Sequence, residues 1–231
     1  MTESILVTGS NRGIGLELVR QYAADGWRVF ACCRHPGKAK ELNVLAGKHH
    51  NISLHALNVA DTQQIKALAK QLKSESIDIL LNNAGIYGPD NACFGNTDEA
   101  AWLECFHINT IAPMKMMEAF VDHVAKSKRK LIATMSSKMG SMADNGSGGS
   151  YIYRSSKAAV NAVMVSAAID LKPKQIKVAI LHPGWVLTDM GGPNAEITVE
   201  ECVNHLRRNL DNVTLSNSGT FFEIDGSVIP W

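Results

Sequence analysis

The chain has 231 residues, which at ~150 residues per domain is one large domain or two small ones. Hydrophobic residues make up 45% and charged residues 19%, an ordinary balance for a chain that buries a full core. Lys plus Arg number 23 and Asp plus Glu 22, a formal net charge of +1, so no electrostatic footprint points to nucleic acid or to an anionic membrane.

Short apolar runs predict strands at 4–8, 28–33, 52–57, 77–81, 130–135, 176–181 and 219–224. Most are continuously apolar rather than alternating, the pattern of strands covered on both faces. Helical periodicity lies between them at 14–24, 37–46, 62–74, 98–126, 155–171 and 198–210. The helix from 98 follows Thr97 and carries Asp98 and Glu99 in its first turn, where carboxylates favour the dipole. Pro113 is expected to kink that helix, and Pro173 to stop the one ending near Leu171. Strand–helix alternation predicts α/β architecture: right-handed crossovers and a doubly wound, three-layer sandwich with a mainly parallel seven-stranded sheet, in a single domain over 1–231. The one compositional anomaly is GSMADNGSGGS at 140–150, expected to be a mobile loop. The N-terminal MTESILVTGS has no basic region followed by an apolar one, and residue 2 is Thr, so neither a secretory signal nor a myristoylation signal is read there. Five cysteines without the paired spacing of a zinc site complete the picture of a reduced, cytoplasmic chain without a metal.

The first strand runs directly into Thr8-Gly9-Ser10-Asn11-Arg12-Gly13-Ile14-Gly15, and a helix follows. Glycines at such a turn let the backbone approach a pyrophosphate, and the helix N-terminus offers free N–H groups and a partial positive charge. Five further elements follow in order: Asn82-Asn83-Ala84-Gly85 after the fourth strand, Asn109 in the long helix, Ser136-Ser137-x-x-Gly140 after the fifth strand, Tyr153-x3-Lys157, and His182-Pro183-Gly184-Trp185-Val186-Leu187-Thr188 after the sixth. With these six elements the chain resembles the classical short-chain dehydrogenase/reductase family over essentially its whole length. The resemblance implies a Rossmann-type domain that holds both a nicotinamide dinucleotide and the reacting groups.

The charge pattern speaks to the choice of dinucleotide. Arg34 follows the second strand, where an NAD-preferring protein needs an acid for the ribose hydroxyls. A guanidinium fork there suits a 2′-phosphate, and Arg12 in the glycine loop is placed to approach the same group, so NADP(H) is expected. Asn58, with Val59 beside it, stands where the family usually carries an Asp near the adenine. The cofactor-binding set expected is Gly9, Ser10, Asn11, Arg12, Gly13, Ile14, Arg34, Asn58, Val59, Asn83, Ala84, Gly85, Tyr153, Lys157, Pro183, Gly184, Val186 and Thr188. Asn83, Ala84 and Gly85 are expected to meet the cofactor through their backbones while Asn82 braces neighbouring strands. Pro183, Gly184, Val186 and Thr188 are expected to face the nicotinamide.

Tyr153 and Lys157 are four apart and share a helix face. A neighbouring ammonium favours the phenolate and is expected to lower the Tyr153 pKa from about 10. Tyr153 would then give a proton to a carbonyl oxygen as hydride reaches its carbon, with the Ser137 hydroxyl on the same oxygen. The resemblance implies that Lys157 also holds the nicotinamide ribose and that Asn109 holds a proton-relaying water. Ser137 rather than Ser136 is the reacting hydroxyl by the same resemblance. Tyr151 has only Ser155 four residues on, which supplies no cation, and His182 is read as a structural cap on a strand end.

Met139, Met142, Trp185 and Met190 flank the reaction centre in sequence, and only a short segment separates Thr188 from the last helix. An open, permissive pocket for apolar carbonyl compounds is expected. GSYIYRSSKAAVN, HPGWVLTDMGG and DGSVIPW narrow the resemblance to sniffer-type carbonyl reductases and the C-factor group of signalling proteins. That implies NADPH-dependent reduction of aldehydes or ketones, with a signalling dinucleotide-binder of little turnover as the alternative. Intact Asn109, Ser137, Tyr153 and Lys157 argue for turnover. Apolar groups on more than one side of helix 155–171 suggest a homodimer.

Overall fold

A computed structural model describes residues 2–231. Seven parallel strands form one sheet: β1 (Ser4–Thr8), β2 (Arg28–Cys33), β3 (Ile52–Ala56), β4 (Ile79–Asn82), β5 (Leu131–Met135), β6 (Lys177–Leu181) and β7 (Phe221–Phe222), in the order β3-β2-β1-β4-β5-β6-β7. The α-helices are α1 (Gly13–Ala24), α2 (Lys40–Lys48), α3 (Thr62–Gln71), α4 (Glu99–Phe106), α5 (Ala112–Ala125), α6 (Tyr151–Leu171) and α7 (Val199–Asp211).

Successive side chains of β1 point to opposite faces, and the core divides accordingly. Ile5 and Val7 pack with Leu18, Tyr22, Leu42 and Leu206 beneath α1, α2 and α7. Leu6 packs on the other face with Ile65, Phe120, Val160 and Met164 beneath α3, α5 and α6. Both faces are therefore dry, which is why these strands read as unbroken apolar runs. The strand order reverses between β1 and β4, and in such sheets ligands bind outside the carboxyl ends of the strands at that point.

Boundaries differ where local chemistry overrides periodicity. The long helix expected over 98–126 is three pieces: α4, a π-helical turn at His107–Ile111, and α5, which takes Pro113 into its first turn. The irregularity thus precedes the proline instead of forming a simple kink at it, because proline is tolerated in a first turn, where no intrahelical N–H partner is required. Asp98 is the α4 cap itself, its side chain accepting from Ala101 N–H. Asp61 caps α3 in the same way, and Thr198 and Glu201 close a capping box on α7. Helix α6 begins four residues before the expected start, at Tyr151 after a left-handed Ser150, so Tyr153 and Lys157 lie in its first two turns. Strand β7 has shrunk to two residues.

Candidate active site

The site forms where the loops after β1, β4, β5 and β6 converge on α1 and α6. Helix α1 starts at Gly13 and has no side-chain cap, so its first N–H groups are free for an anion. The approach of the loop to β4 and α1 is closer than any side chain permits. A Cβ on Gly9, whose φ is +67°, would lie 2.9 Å from Ala84 Cα, and one on Gly15 would lie 2.2 Å from the Gly9 carbonyl oxygen and 2.6 Å from Asn83 Nδ2. Gly15→Ala should therefore lower nucleotide affinity at least tenfold and destabilise the fold by about 1–3 kcal/mol through forced backbone movement. Calorimetric titration and thermal melting check this; unchanged affinity and melting point would show that the loop yields freely.

Thr8 ties the two loops together. Its hydroxyl accepts from the backbone N–H groups of both Asn83, at 3.0 Å, and Ala84, at 3.1 Å, while Asn83 Nδ2 donates to the Thr8 and Gly9 carbonyls. These two N–H groups are consequently engaged within the protein, and the expected backbone contacts to a cofactor from Asn83 and Ala84 are left to their carbonyls. Asn82 Nδ2 bridges to Thr134 on β5, as a brace between strands. Ser10 is buried, with its hydroxyl on the Cys32 carbonyl. Asn11 is exposed and Ile14 half-buried.

Around the adenosine end, Arg34 is exposed and no hydrogen bond or ion pair engages its guanidinium among the described residues. Arg12 is exposed, and its guanidinium pairs with the equally exposed Asp189 across the mouth of the site. Asn58 Oδ1 accepts from Ala60 N–H and so shapes the turn into α3, with Val59 half-buried beside it. The segment after β6 closes from the other side. Val186 is buried and bridges Ile197, Thr188 Oγ1 accepts from Gly191 N–H, and its methyl would touch a Cβ on Gly13 at 3.3 Å. Pro183 is half-buried, and Gly184 holds a φ of +80°.

Four side chains gather at the floor. Tyr153 is 8% and Lys157 4% exposed, and Lys157 Nζ lies 5.6 Å from the Tyr153 ring centroid. Nζ donates to the Met135 carbonyl at 2.9 Å. An ammonium has three donors, and no second partner for it stands among the described residues. Burial pushes the Lys157 pKa down to about 8. Burial also pushes the Tyr153 phenol up, against the lowering influence of the Ser137 hydroxyl. This reverses the expected direction: the loss of water around the buried phenol outweighs the influences that favour its phenolate. Ser137 is buried, and Ser136 points elsewhere, to Asn161 Oδ1 at 2.5 Å.

Asn109 sits in the π-helical turn, 1% exposed. Its Oδ1 accepts from Ile86 N–H at 2.9 Å, and its Nδ2 faces the Ile86 carbonyl, Ser156 Oγ and Cys105 Sγ. Ser156, Cys105, Tyr87 and Asp189 were not singled out by the sequence. Tyr87 stacks on Tyr153 with ring centroids 4.6 Å apart and meets Ser150 Oγ at 2.9 Å. Each of the four lies within four residues of an expected site residue: Ser156 before Lys157, Asp189 after Thr188, Tyr87 two residues after Gly85 and Cys105 one helical turn before Asn109.

The loop at 140–150 is held at both ends. Ser141 Oγ donates to the Pro230 carbonyl, Ala143 N–H to the Trp231 carbonyl, and Arg154 reaches Ser147 and Gly148. Met142, Trp185 and Met190 are exposed on the segments that follow Ser137 and Gly184. Trp185 Nε1 donates to the Gly191 carbonyl, which folds its ring onto its own short loop.

Comparisons with known proteins agree with this architecture. The family model for short chain dehydrogenases matches residues 3–197. The Drosophila melanogaster carbonyl reductase Sniffer superposes over 100% of both chains with a TM-score of 0.93 and 33% identity. An NADPH-bound carbonyl reductase from chicken fatty liver also gives 0.93, at 36% identity, over 100% of this chain and 99% of its own. The C-signal protein of Myxococcus xanthus is 37% identical over 167 residues, 72% of this chain and 100% of that protein. The fold, the order of its motifs and these relationships lead to one conclusion: the chain belongs to the short-chain dehydrogenase family of oxidoreductases.

Proposed function

We propose that this single domain is an NADPH-dependent carbonyl reductase acting on aldehydes or ketones. The observation that carries the reading is the buried trio of Ser137, Tyr153 and Lys157 beside an uncapped, glycine-lined helix N-terminus. The residues present fit a dinucleotide phosphate. The glycine loop offers free N–H groups, Arg34 an unengaged guanidinium, and Lys157 ammonium protons with one protein acceptor between them.

Gly9 through Ile14 would hold the pyrophosphate, Arg34 the 2′-phosphate, Lys157 the nicotinamide ribose, and Gly184, Val186 and Thr188 would flank the nicotinamide. The chemistry such a nucleotide supplies is hydride donation to a carbonyl carbon. Tyr153 gives its phenolic proton to the carbonyl oxygen, and Ser137 Oγ donates a hydrogen bond to that oxygen and fixes its position. A phenol kept protonated by burial is the form reduction needs, whereas alcohol oxidation needs the phenolate. Asn109 ties the β4 loop at Ile86 to α6 at Ser156 Oγ, next to Lys157. Exposed Met142, Trp185 and Met190 supply an adaptable apolar rim, suited to varied carbonyl compounds.

Arg34→Asp tests the cofactor half of this reading. NADPH affinity should fall at least thirtyfold, through loss of a charge-assisted fork and like-charge repulsion, while NADH affinity stays within about threefold. Equal losses for the two nucleotides would remove Arg34 from the 2′-phosphate.

A further inference from the structure

His182 follows β6, with its ring largely buried, and its backbone N–H donates to the Phe222 carbonyl at 2.8 Å. Its Nδ1 accepts from the backbone N–H of Lys138 at 3.2 Å. A peptide N–H can only donate, so Nδ1 is bare and the ring proton sits on Nε2, which faces Glu223 Oε1 at 3.6 Å. Lys138 directly follows Ser137, and its N–H belongs to the peptide unit that contains the Ser137 carbonyl.

This contact extends the sheet. Met135 pairs with Leu181 at the end of the β5–β6 ladder, and one residue on, Ser136 N–H donates to the Leu181 carbonyl at 2.8 Å. In a parallel ladder the next donor on the same side is two residues further, at Lys138. There the backbone ladder has ended, and the His182 ring accepts where a backbone carbonyl would. Ser137 is thus clamped on both sides: Ser136 by the last true rung and Lys138 by an imidazole. The 138–140 turn then closes on it, with Met139 N–H donating to Ser137 Oγ and Gly140 N–H to the Ser137 carbonyl.

We propose that neutral His182 is a positioning residue for Ser137, and that its protonation releases the Ser137–Lys138 peptide and switches the reductase off in acid. The proposal rests on the carbonyl reductase reading of the site. A proton on Nδ1 sets two donors against each other, at Lys138 N–H and at the ring. The charged groups that face the ring are Lys138 and Asp144 from the segment after β5 and Glu223 from the end of β7. Glu223 and Asp144 favour the imidazolium, Lys138 opposes it, and burial, the largest influence, opposes it too. The ring therefore stays neutral through neutral pH, and the acid limb falls below the ordinary imidazole value of about 6.5.

His182→Asn and His182→Leu separate the possibilities. Asn offers Oδ1 to the Lys138 N–H without titrating; Leu fills space and accepts nothing. In the unaltered protein kcat should fall in acid with a single ionisation while the NADPH Kd, read by fluorescence, stays level. His182→Asn should keep kcat within about threefold at neutral pH and lose the acid limb. His182→Leu should lower kcat at least tenfold at every pH with the NADPH Kd unchanged. Nitrogen-15 spectra of the imidazole should show Nδ1 bare and Nε2 protonated at neutral pH. An acid limb that persists in His182→Asn, full kcat in His182→Leu, or a proton on Nδ1 overturns the positioning role and leaves the reductase reading intact. Absence of carbonyl turnover in the unaltered protein overturns the reductase reading, and with it this role, even where the tautomer is as described.

Discussion

Tyr153→Phe should leave NADPH affinity within about twofold and lower kcat by about 10²–10⁴-fold, the range for losing a general acid. The substitution removes one oxygen and keeps the ring, its stacking on Tyr87 at 4.6 Å and the start of α6. What disappears is the proton donor. In the unaltered protein burial raises the phenol, so it is protonated throughout the physiological range. The expected split, binding kept and turnover lost, is the signature of a group that acts only in the transition state. Turnover retained in Tyr153→Phe would show that another group gives the proton. Turnover and nucleotide affinity falling together would place Tyr153 in binding instead.

Lys157→Met should abolish turnover and make the nucleotide-free protein more stable. Holding the ammonium 4% exposed brings its pKa from 10.5 to about 8, which corresponds to about 3 kcal/mol of destabilisation near neutral pH. Removing the charge recovers this, less about 1 kcal/mol for the Met135 carbonyl left without its donor. The net gain of about 2 kcal/mol raises Tm by about 5 °C in a chain of this size. The sign follows from linkage. Between about pH 8 and 10.5 the unfolded chain binds the proton and the folded one does not, so the unaltered protein gains stability as pH rises. The advantage of Lys157→Met is therefore full below about pH 8 and gone by about 10.5. A variant no more stable than the unaltered protein at neutral pH would mean that Lys157 is solvated after all. The same titration gives the reductase an alkaline limit, because the ammonium held by Met135 is lost above about pH 8.

The parallel sheet was legible because both its faces are dry: Ile5, Leu6 and Val7 are all fully buried, so β1 is apolar at consecutive positions and cannot be mistaken for a surface strand. The glycine loop was legible for a steric reason, since the contacts at Gly9 and Gly15 exclude every other residue. The boundaries were less so. Nothing in the run 98–126 signals a π-helical turn, because that turn is built around Asn109, whose amide bonds Ile86 from a different loop. Tyr151 and Ile152 precede the helix expected from 155, yet Ile152 is buried in a small cluster with Cys105 and Ala92, which draws α6 back toward the β4 loop. The Tyr153 phenol shifts opposite to the sequence expectation because spacing reveals the Lys157 charge but not the desolvation that both groups share. The sequence places Arg12 in the glycine loop but gives no sign of its partner Asp189, 177 positions away.

Deuterium transfer shows whether hydride passes from NADPH to a carbonyl carbon on this protein. NADPH labelled at the transferred position of the nicotinamide ring is incubated with the protein and a panel of aldehydes, ketones and quinones, with labelled NADH in parallel, and the products are read by mass spectrometry. Deuterium is expected on the carbinol carbon of at least one alcohol product, faster from NADPH than from NADH and at least about a hundredfold slower with Tyr153→Phe. Tight NADPH binding with no labelled product from any compound, or faster transfer from NADH, would contradict it.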